Sequence, residues 1–328
     1  MRLEPSFEAF ETAWEQGHNQ LVYARLAADL DTPVSLMLKL AEARTDTFML
    51  ESVTGGEVRG RYSIVGMKPD LIWQCHGTQS RINREARFDK AAFTDLAGHP
   101  LETLRALLAE YGLKFISGWY STELLVRSVE DEIKACQHHL AKLKHNGCAV
   151  MIVCETSNAI HGDAAKPVND RPRLTPAEMA AFGTKLEAFA AYLAGEGVTL
   201  VYHHHMGTIV ESPEEIDALM AATGPHTHLL FDAGHCAFGG GDPVTVLTKH
   251  AERVRHFHAK NIRPAITAKV RAEGWSFLKA VVGGAFTVPG DQDGGVDFGP
   301  LLKILAAHHY DGWIVIEAEQ DPKVRNPL

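Results

Sequence analysis

Three consecutive histidines, His203, His204 and His205, follow closely on the apolar run Val198-Thr199-Leu200-Val201. β-branched residues dominate that run and Gly197 precedes it, which predicts a buried strand. Side chains alternate along a strand, so His203 and His205 share one side and His204 points to the other. Two imidazoles on one face at a strand's C-terminal end can bind a divalent metal or move protons. One such histidine alone would read more readily as a satisfied core or loop residue. Three later runs carry the same signature. His228-Leu229-Leu230-Phe231-Asp232 leads into an Asp-x-x-His pair that closes at His235. Val254-Arg255-His256-Phe257-His258-Ala259-Lys260 ends in His-x-His-x-Lys, and Trp313-Ile314-Val315-Ile316-Glu317-Ala318-Glu319 ends in Glu-x-Glu.

Helix-like segments separate these runs, so the strands are expected to be parallel. In a parallel barrel all such strand ends open onto one face, where groups from different strands converge. The pattern supplies further elements: a strand at 113–119, a helix from Ser128 to about Asn146, and a strand at 149–155 that ends in Glu155. Thr175-Pro176-Ala177-Glu178 and Ser212-Pro213-Glu214-Glu215 are capping boxes with proline at the first helical position. Asp242-Pro243 and Asp297 start two more helices, and Met179, Phe182, Leu186, Phe189 and Leu193 form a buried stripe. About six strand-and-helix units result, where a closed barrel of this type has eight. The expected fold is α/β: an incomplete TIM-type parallel barrel over 104–328, preceded by a β-rich segment over 1–103.

The composition of the 328 residues, 45% hydrophobic and 22% charged, is that of a soluble globular protein. No apolar run approaches the roughly 18 residues of a membrane span, and Met1-Arg2-Leu3-Glu4-Pro5 has no signal-peptide pattern. A cytoplasmic protein without a membrane partner is expected. A net charge of -9 argues against nucleic acid as a partner, because a phosphate backbone is bound by clustered Lys and Arg. Cys75, Cys136, Cys148, Cys154 and Cys236 lack C-x-x-C spacing and read as reduced core thiols.

The first 103 residues have hairpin character, with short β-like runs at 21–24, 47–53, 61–66 and 71–75, Gly55-Gly56 and Lys68-Pro69-Asp70 at turns, and a helix at 33–43. Phe48-Met49-Leu50-Glu51-Ser52-Val53, Arg59-Gly60-Arg61-Tyr62-Ser63-Ile64-Val65-Gly66 and Pro69-Asp70-Leu71-Ile72-Trp73 make this segment resemble the N-terminal part of anthranilate synthase component I. In that family the Leu-Glu-Ser stretch lines the site of the feedback inhibitor tryptophan, which would place Glu51 and Ser52 there as a vestigial tryptophan site. The chorismate-binding catalytic domain of that family is absent from this sequence, so no anthranilate synthase activity is expected.

From about residue 104 onward the chain resembles inosose dehydratase, the 2-keto-myo-inositol dehydratase of inositol catabolism, a member of the xylose-isomerase-like TIM barrels. The resemblance rests on Ile116-Ser117-Gly118-Trp119-Tyr120-Ser121, Tyr202-His203-His204-His205-Met206-Gly207-Thr208, Leu219-Met220-Ala221-Ala222-Thr223-Gly224-Pro225, Val288-Pro289-Gly290-Asp291 and Glu317-Ala318-Glu319-Gln320-Asp321-Pro322 in that order. It implies a divalent metal, Mn²⁺ or Co²⁺, held by His203, Asp232, His258 and Glu317, with glutathione as a further requirement and a polyol ketone as substrate. Dehydration of such a ketone begins with removal of a proton beside the carbonyl and needs stabilisation of the enolate charge. His205 or Lys260 is the expected proton-transfer group, with Glu155 in reserve, and His235 and Trp119 are expected to touch substrate. Glu155, Lys260 and Glu319 could equally be supporting or solvent-facing charges, and Trp119 barrel packing. A sugar isomerase or epimerase, or a metal-binding protein without turnover, would fit the same residues.

Three positions depart from the resemblance. Asn261 stands where an acid is usual, residues 292–295 lengthen the loop after Asp291, and the sequence stops at Asn326-Pro327-Leu328, before the closing helix. The first strand, first helix and second strand of the usual barrel are replaced by the hairpin segment. The strands containing Phe115 and Ile316 are therefore expected to have unpaired edges, open to aggregation or to pairing with another copy in a homo-oligomer.

Overall fold

A computed structural model describes residues 3–18, 20–26, 32–41, 46–51 and 63–321. The chain divides into two compact units, one made of residues 1–51 and 62–69, the other of residues 52–61 and 70–327. The first unit holds a short antiparallel pair, β1 (Leu3–Glu4) with β2 (Tyr23–Ala24), and a second pair, β3 (Phe48–Glu51) with β4 (Ser63–Gly66). Its helices are α1 (Phe7–Glu15) and α2 (Pro33–Ala41). Glu51 ends β3, and Ser52 lies outside the described residues, as does the chain end at 326–328.

The second unit opens with an antiparallel meander, β5 (Ile72–His76), β6 (Gln79–Asn83) and β7 (Thr94–Leu96), followed by α3 (Pro100–Glu110). Thr103 ties the helix to the meander: its hydroxyl lies 2.9 Å from Ser80 Oγ and accepts from Trp73 Nε1. A regular alternation then begins, with β8 (Ser117–Thr122), α4 (Val129–His145), β9 (Val150–Glu155), α5 (Pro176–Gly195), β10 (Thr199–His203), α6 (Pro213–Ala222) and β11 (Thr227–Asp232). It continues through α7 (Ala233–Phe238), α8 (Pro243–His250), β12 (Val254–Ala259), β13 (Asn261–Ile262), α9 (Pro264–Glu273), α10 (Phe277–Val282), β14 (Phe286–Thr287), α11 (Phe298–Ala307) and β15 (Ile314–Ile316).

Six of these strands form one parallel sheet in the order β15-β12-β11-β10-β9-β8. It is a curled half-barrel, with β8 and β15 as its edges. The edge strand β8 starts at Ser117, later than the apolar run from Leu113 suggests, because residues 113–116 make no ladder.

Two apolar layers separate the faces of the sheet. Ile152, Val201 and Leu230 pack together on the inside, one layer below the strand ends. Met151, Val153, Leu200, Tyr202, Leu229 and Phe231 point outward against Phe182, Leu186, Phe189 and Leu193 of α5 and their neighbours. Both capping boxes form, Thr175 with Glu178 and Ser212 with Glu215, so α5 and α6 start where the sequence expects. Asp242 and Asp297 cap α8 and α11 by accepting backbone amides of the first turn, without the reciprocal bond of a capping box. Glu187 of α5 accepts hydrogen bonds from Gly224 N, His226 N, Thr227 N and Thr227 Oγ1, which fixes the entry to β11. Among the described residues no helix is long and apolar enough to cross a membrane.

Candidate active site

The inward alternation that buries Val201 and Leu230 brings His203, His205, Asp232, His258 and Lys260 to the carboxyl-terminal end of the half-barrel. Glu317 and Glu319 join them from the residues just after β15. Asp232 is fully buried and sits at the centre. Its Oδ1 accepts the His235 amide at 2.8 Å, capping α7. Its Oδ2 lies 3.7 Å from His203 Nε2, 3.4 Å from His258 Nδ1 and 3.6 Å from Lys260 Nζ. Glu317 Oε2 approaches His258 Nδ1 to 2.8 Å and Lys260 Nζ to 3.3 Å, and Glu319 Oε2 approaches Lys260 Nζ to 3.4 Å.

These close approaches are not hydrogen bonds in every case. Asp232 Oδ2, His258 Nδ1, Glu317 Oε2 and Glu319 Oε2 are buried without a well-aligned hydrogen-bond partner. Buried polar atoms are normally satisfied, so the three orphans that converge, on Asp232, His258 and Glu317, call for something between them. Ligand atoms of Asp232, His258 and Glu317 fall within 4.8 Å of one another, as do those of His203, Asp232 and His235. Such a mixed imidazole and carboxylate set suits Mn²⁺, Co²⁺ or Zn²⁺.

Tautomers follow from the backbone contacts. His203 Nδ1 lies 2.6 Å from its neighbour's carbonyl, His204 O, and His205 Nδ1 lies 2.8 Å from Met206 O. A carbonyl only accepts, so in both rings Nδ1 carries the proton and Nε2 presents a lone pair. Burial, more than any charge nearby, holds His203 well below its ordinary range and His205 down to about 3. Both rings are neutral at pH 7. Lys260 has the opposite setting: burial disfavours its charge, but Asp232, Glu319 and Glu317 outweigh it and hold the ammonium protonated. For His258 burial is likewise overcome, by Asp232 and Glu317, and the imidazole is held up to about 9.

Trp119 on β8 lies edge-on to His203 and His205, with ring centroids 5.6 and 5.7 Å away, and at 39% exposure it forms part of the rim. His235 lies tilted against His205 with ring centroids 4.1 Å apart and has Nε2 3.2 Å from Lys260 Nζ. His235 belongs to the first turn of α7 rather than to a strand. Glu155 is not brought to this cluster. It follows Met151 and Val153 on the outward face of β9, where its carboxylate accepts from Leu124 N, Thr122 Oγ1, Ser157 N and Ser157 Oγ. Those four bonds hold the loops after β8 and β9. His204, pointing away from His203, accepts the Asp232 amide at its Nε2, 3.2 Å away.

Two features were invisible in the strand-end pattern. His161, in the loop after β9, lies with its ring 5.1 Å from that of His205. Glu211 accepts the Gly207 amide at 2.8 Å and is itself ion-paired to Arg171 and Arg271, so it pins the turn after the histidines. That turn needs glycine: Gly207 has φ +77°, and a Cβ there would meet His161 N at 3.0 Å. The departures at Asn261 and 292–295 prove to be neighbours, since Asn261 Oδ1 accepts the Val296 amide immediately after the lengthened loop.

Residues 82–327 match the profile of the xylose isomerase-like TIM barrels. The rhizopine catabolism protein MocC of Rhizobium meliloti is 45% identical over 240 residues, covering 72% of this chain and 73% of that protein. The inosose dehydratase of Clostridium botulinum (strain Alaska E43 / Type E3) is 41% identical over 230 residues, covering 70% and 76%. A separate match, to anthranilate synthase component 1 of Cereibacter sphaeroides, is 83% identical over 105 residues but covers 32% of this chain and only 21% of that enzyme. Among solved structures, a fusion of a xylose isomerase-like TIM barrel with 4-hydroxyphenylpyruvate dioxygenase aligns with TM-score 0.52 at 14% identity, over 69% of this chain and 33% of that one. The IOLI protein with a bound zinc atom aligns with TM-score 0.50 at 12% identity, over 68% and 73%. The half-barrel, its ring of ionisable strand ends and these matches agree: the chain belongs to the xylose isomerase-like TIM barrel family of enzymes.

Proposed function

We propose that this chain carries the site of a metal-dependent hydro-lyase that dehydrates 2-keto-myo-inositol (inosose) to a trihydroxycyclohexanedione. The observation that carries the reading is the set of orphaned ligand atoms on Asp232, His258 and Glu317, in a chain 41% identical to an inosose dehydratase. His203, Asp232, His258 and Glu317 would hold the ion, and the donor set fits Mn²⁺ or Co²⁺. When bound, a divalent cation polarises the ketone and offsets negative charge that builds on its oxygen.

The remaining work falls to side chains. His205, neutral and with its Nε2 lone pair unused by the protein, is the base for the proton beside the carbonyl. Lys260, held protonated by three carboxylates, is the acid that delivers a proton to the departing hydroxyl, which leaves as water. Trp119 and His235 border the substrate. Glu155 is a loop-fixing residue in this reading. Glutathione enters through the family resemblance alone, and no residue is assigned to it. The segment over 1–103 is a fused piece of anthranilate synthase, and the barrel begins at about residue 104.

Purified protein is expected to take up Mn²⁺ or Co²⁺, and Asp232→Ala is expected to weaken uptake more than about 100-fold, beyond what loss of a supporting group costs. Wild-type protein that holds no metal under conditions where an intact dehydratase does would sink the ligand assignment. Sugar isomerisation or epimerisation is the second reading, favoured by the same neutral base beside the same ligand set. Product mass separates the two: loss of water supports the lyase, unchanged mass the isomerase.

A further inference from the structure

His161 is used by neither the ligand set nor the proton-transfer pair, yet the fold fixes it against them. The loop that carries it is tethered along its length. Ile160 N donates to Gly207 O at 2.9 Å, Val168 N donates to Trp275 O at 2.9 Å, and Asn169 Nδ2 donates to Arg271 O at 2.8 Å. Pro167 and Ser276 add a β-bridge. These ties press the His161 backbone onto Gly207 and set the imidazole edge-on to His205 at 5.1 Å and to Phe277 at 6.5 Å. His161 Nδ1 is buried and has no hydrogen-bond partner. A buried polar atom held without a partner costs free energy unless something else supplies one. Its neighbours on this side are aromatic rings and the unused edge of His205, so the missing partner is not a protein group already in place.

We propose that His161 is a specificity-determining residue that hydrogen-bonds a hydroxyl of a polyol bound against His205. This rests on the reading of the site as one for a polyhydroxylated substrate. The ring reads a hydroxyl that takes no part in the elimination, which is how a site recognises one ring position among several alike.

The test uses myo-inositol, which has no ketone and is not consumed, titrated calorimetrically into Mn²⁺-loaded full-length wild type, His161→Phe and His161→Gln. His161→Phe keeps a ring of similar breadth and removes both nitrogens, and affinity is expected to fall about tenfold, the scale of one lost buried hydrogen bond. His161→Gln keeps a donor and an acceptor and is expected to recover most of that loss, which a purely structural role would not show. Mn²⁺ uptake is expected to be unchanged in both variants. Equal affinity of wild type and His161→Phe overturns the inference, as does loss of Mn²⁺ uptake in His161→Phe or failure of wild type to bind the polyol. Dependence on His161 without any dehydration of 2-keto-myo-inositol would leave this inference standing and remove the lyase reading instead.

Discussion

Helix α1 buries none of its residues and leaves Phe7 and Trp14 at 76% and 70% exposure, whereas α5 sinks Leu186, Phe189 and Leu193 completely. Both helices are capped at their N-termini, so local signals do not distinguish them. What differs is the surface each was shaped to meet. The half-barrel supplies α5 with the outward face of β9, β10 and β11, and the apolar stripe is spent there. The N-terminal segment matches a fifth of a much larger enzyme, and in it Phe7, Trp14, Leu21, Leu26 and Leu38 are exposed, the kind of apolar surface that marks an unfilled interaction site. Amphipathic pattern is a request for a partner; it does not provide one.

The sharpest way to break that contrast is a pair of truncations. Phe189→Ala is expected to destabilise the barrel by about 3–5 kcal/mol, the range for a large buried side chain. Trp14→Ala should change stability by no more than about 0.5 kcal/mol. Urea unfolding measures both, and equal losses would show that the first unit has a core of its own. Next in size is replacement of residues 1–103 by an intact dehydratase N-terminus. If strands supplied by that N-terminus orient substrate, kcat/KM should rise about 100-fold, the scale on which small misplacements act. Equal activity would mean that the hairpin segment completes the barrel.

The smallest effect tests how firmly the half-barrel holds its own strands. Burial works against ionisation of Glu187, but the His226 and Thr227 donors outweigh it and hold the carboxyl down to about 2, from an ordinary 4.5. A depressed folded value contributes stability that is full above the unfolded value and is lost as pH falls toward the folded one. Glu187→Gln should therefore cost about 1–2 kcal/mol near pH 7. The gap should close between about pH 4.5 and 2, and a pH-independent gap in urea midpoints would contradict it.

Strand ends were legible because their chemistry is local: an apolar run that turns ionisable announces both the strand and the face it opens on. The convergence of Asp232, His258 and Lys260 with Glu317 followed from parallel topology alone. Glu155, the reserve candidate for proton transfer, stands apart from the cluster, and alternation with Met151 and Val153 sets it on the outward face. Helices α7, α9 and α10 leave little trace in the sequence because helices in the βα loops carry little period, and α7 makes His235 a helical residue rather than a strand one. His161 had no signal in its surroundings, since its neighbour His205 is brought near only by the loop's ties to residues far along the chain. Departures at Asn261 and the long loop were each visible, but that they meet was not.

The pinning of Gly207 by Glu211 also has a bearing on time. Glu211 is held by Arg171 on one side and by Arg271, sixty positions later in the chain, on the other. A nascent chain that has emerged only as far as β11 has every histidine of the triplet and the aspartate, but not the arginine that locks the turn between them. Contacts of such long sequence separation form late and slow folding. During synthesis the cluster would pass through a loose stage in which its imidazoles are not yet held in place. Its final geometry would then be acquired only once α9 has docked.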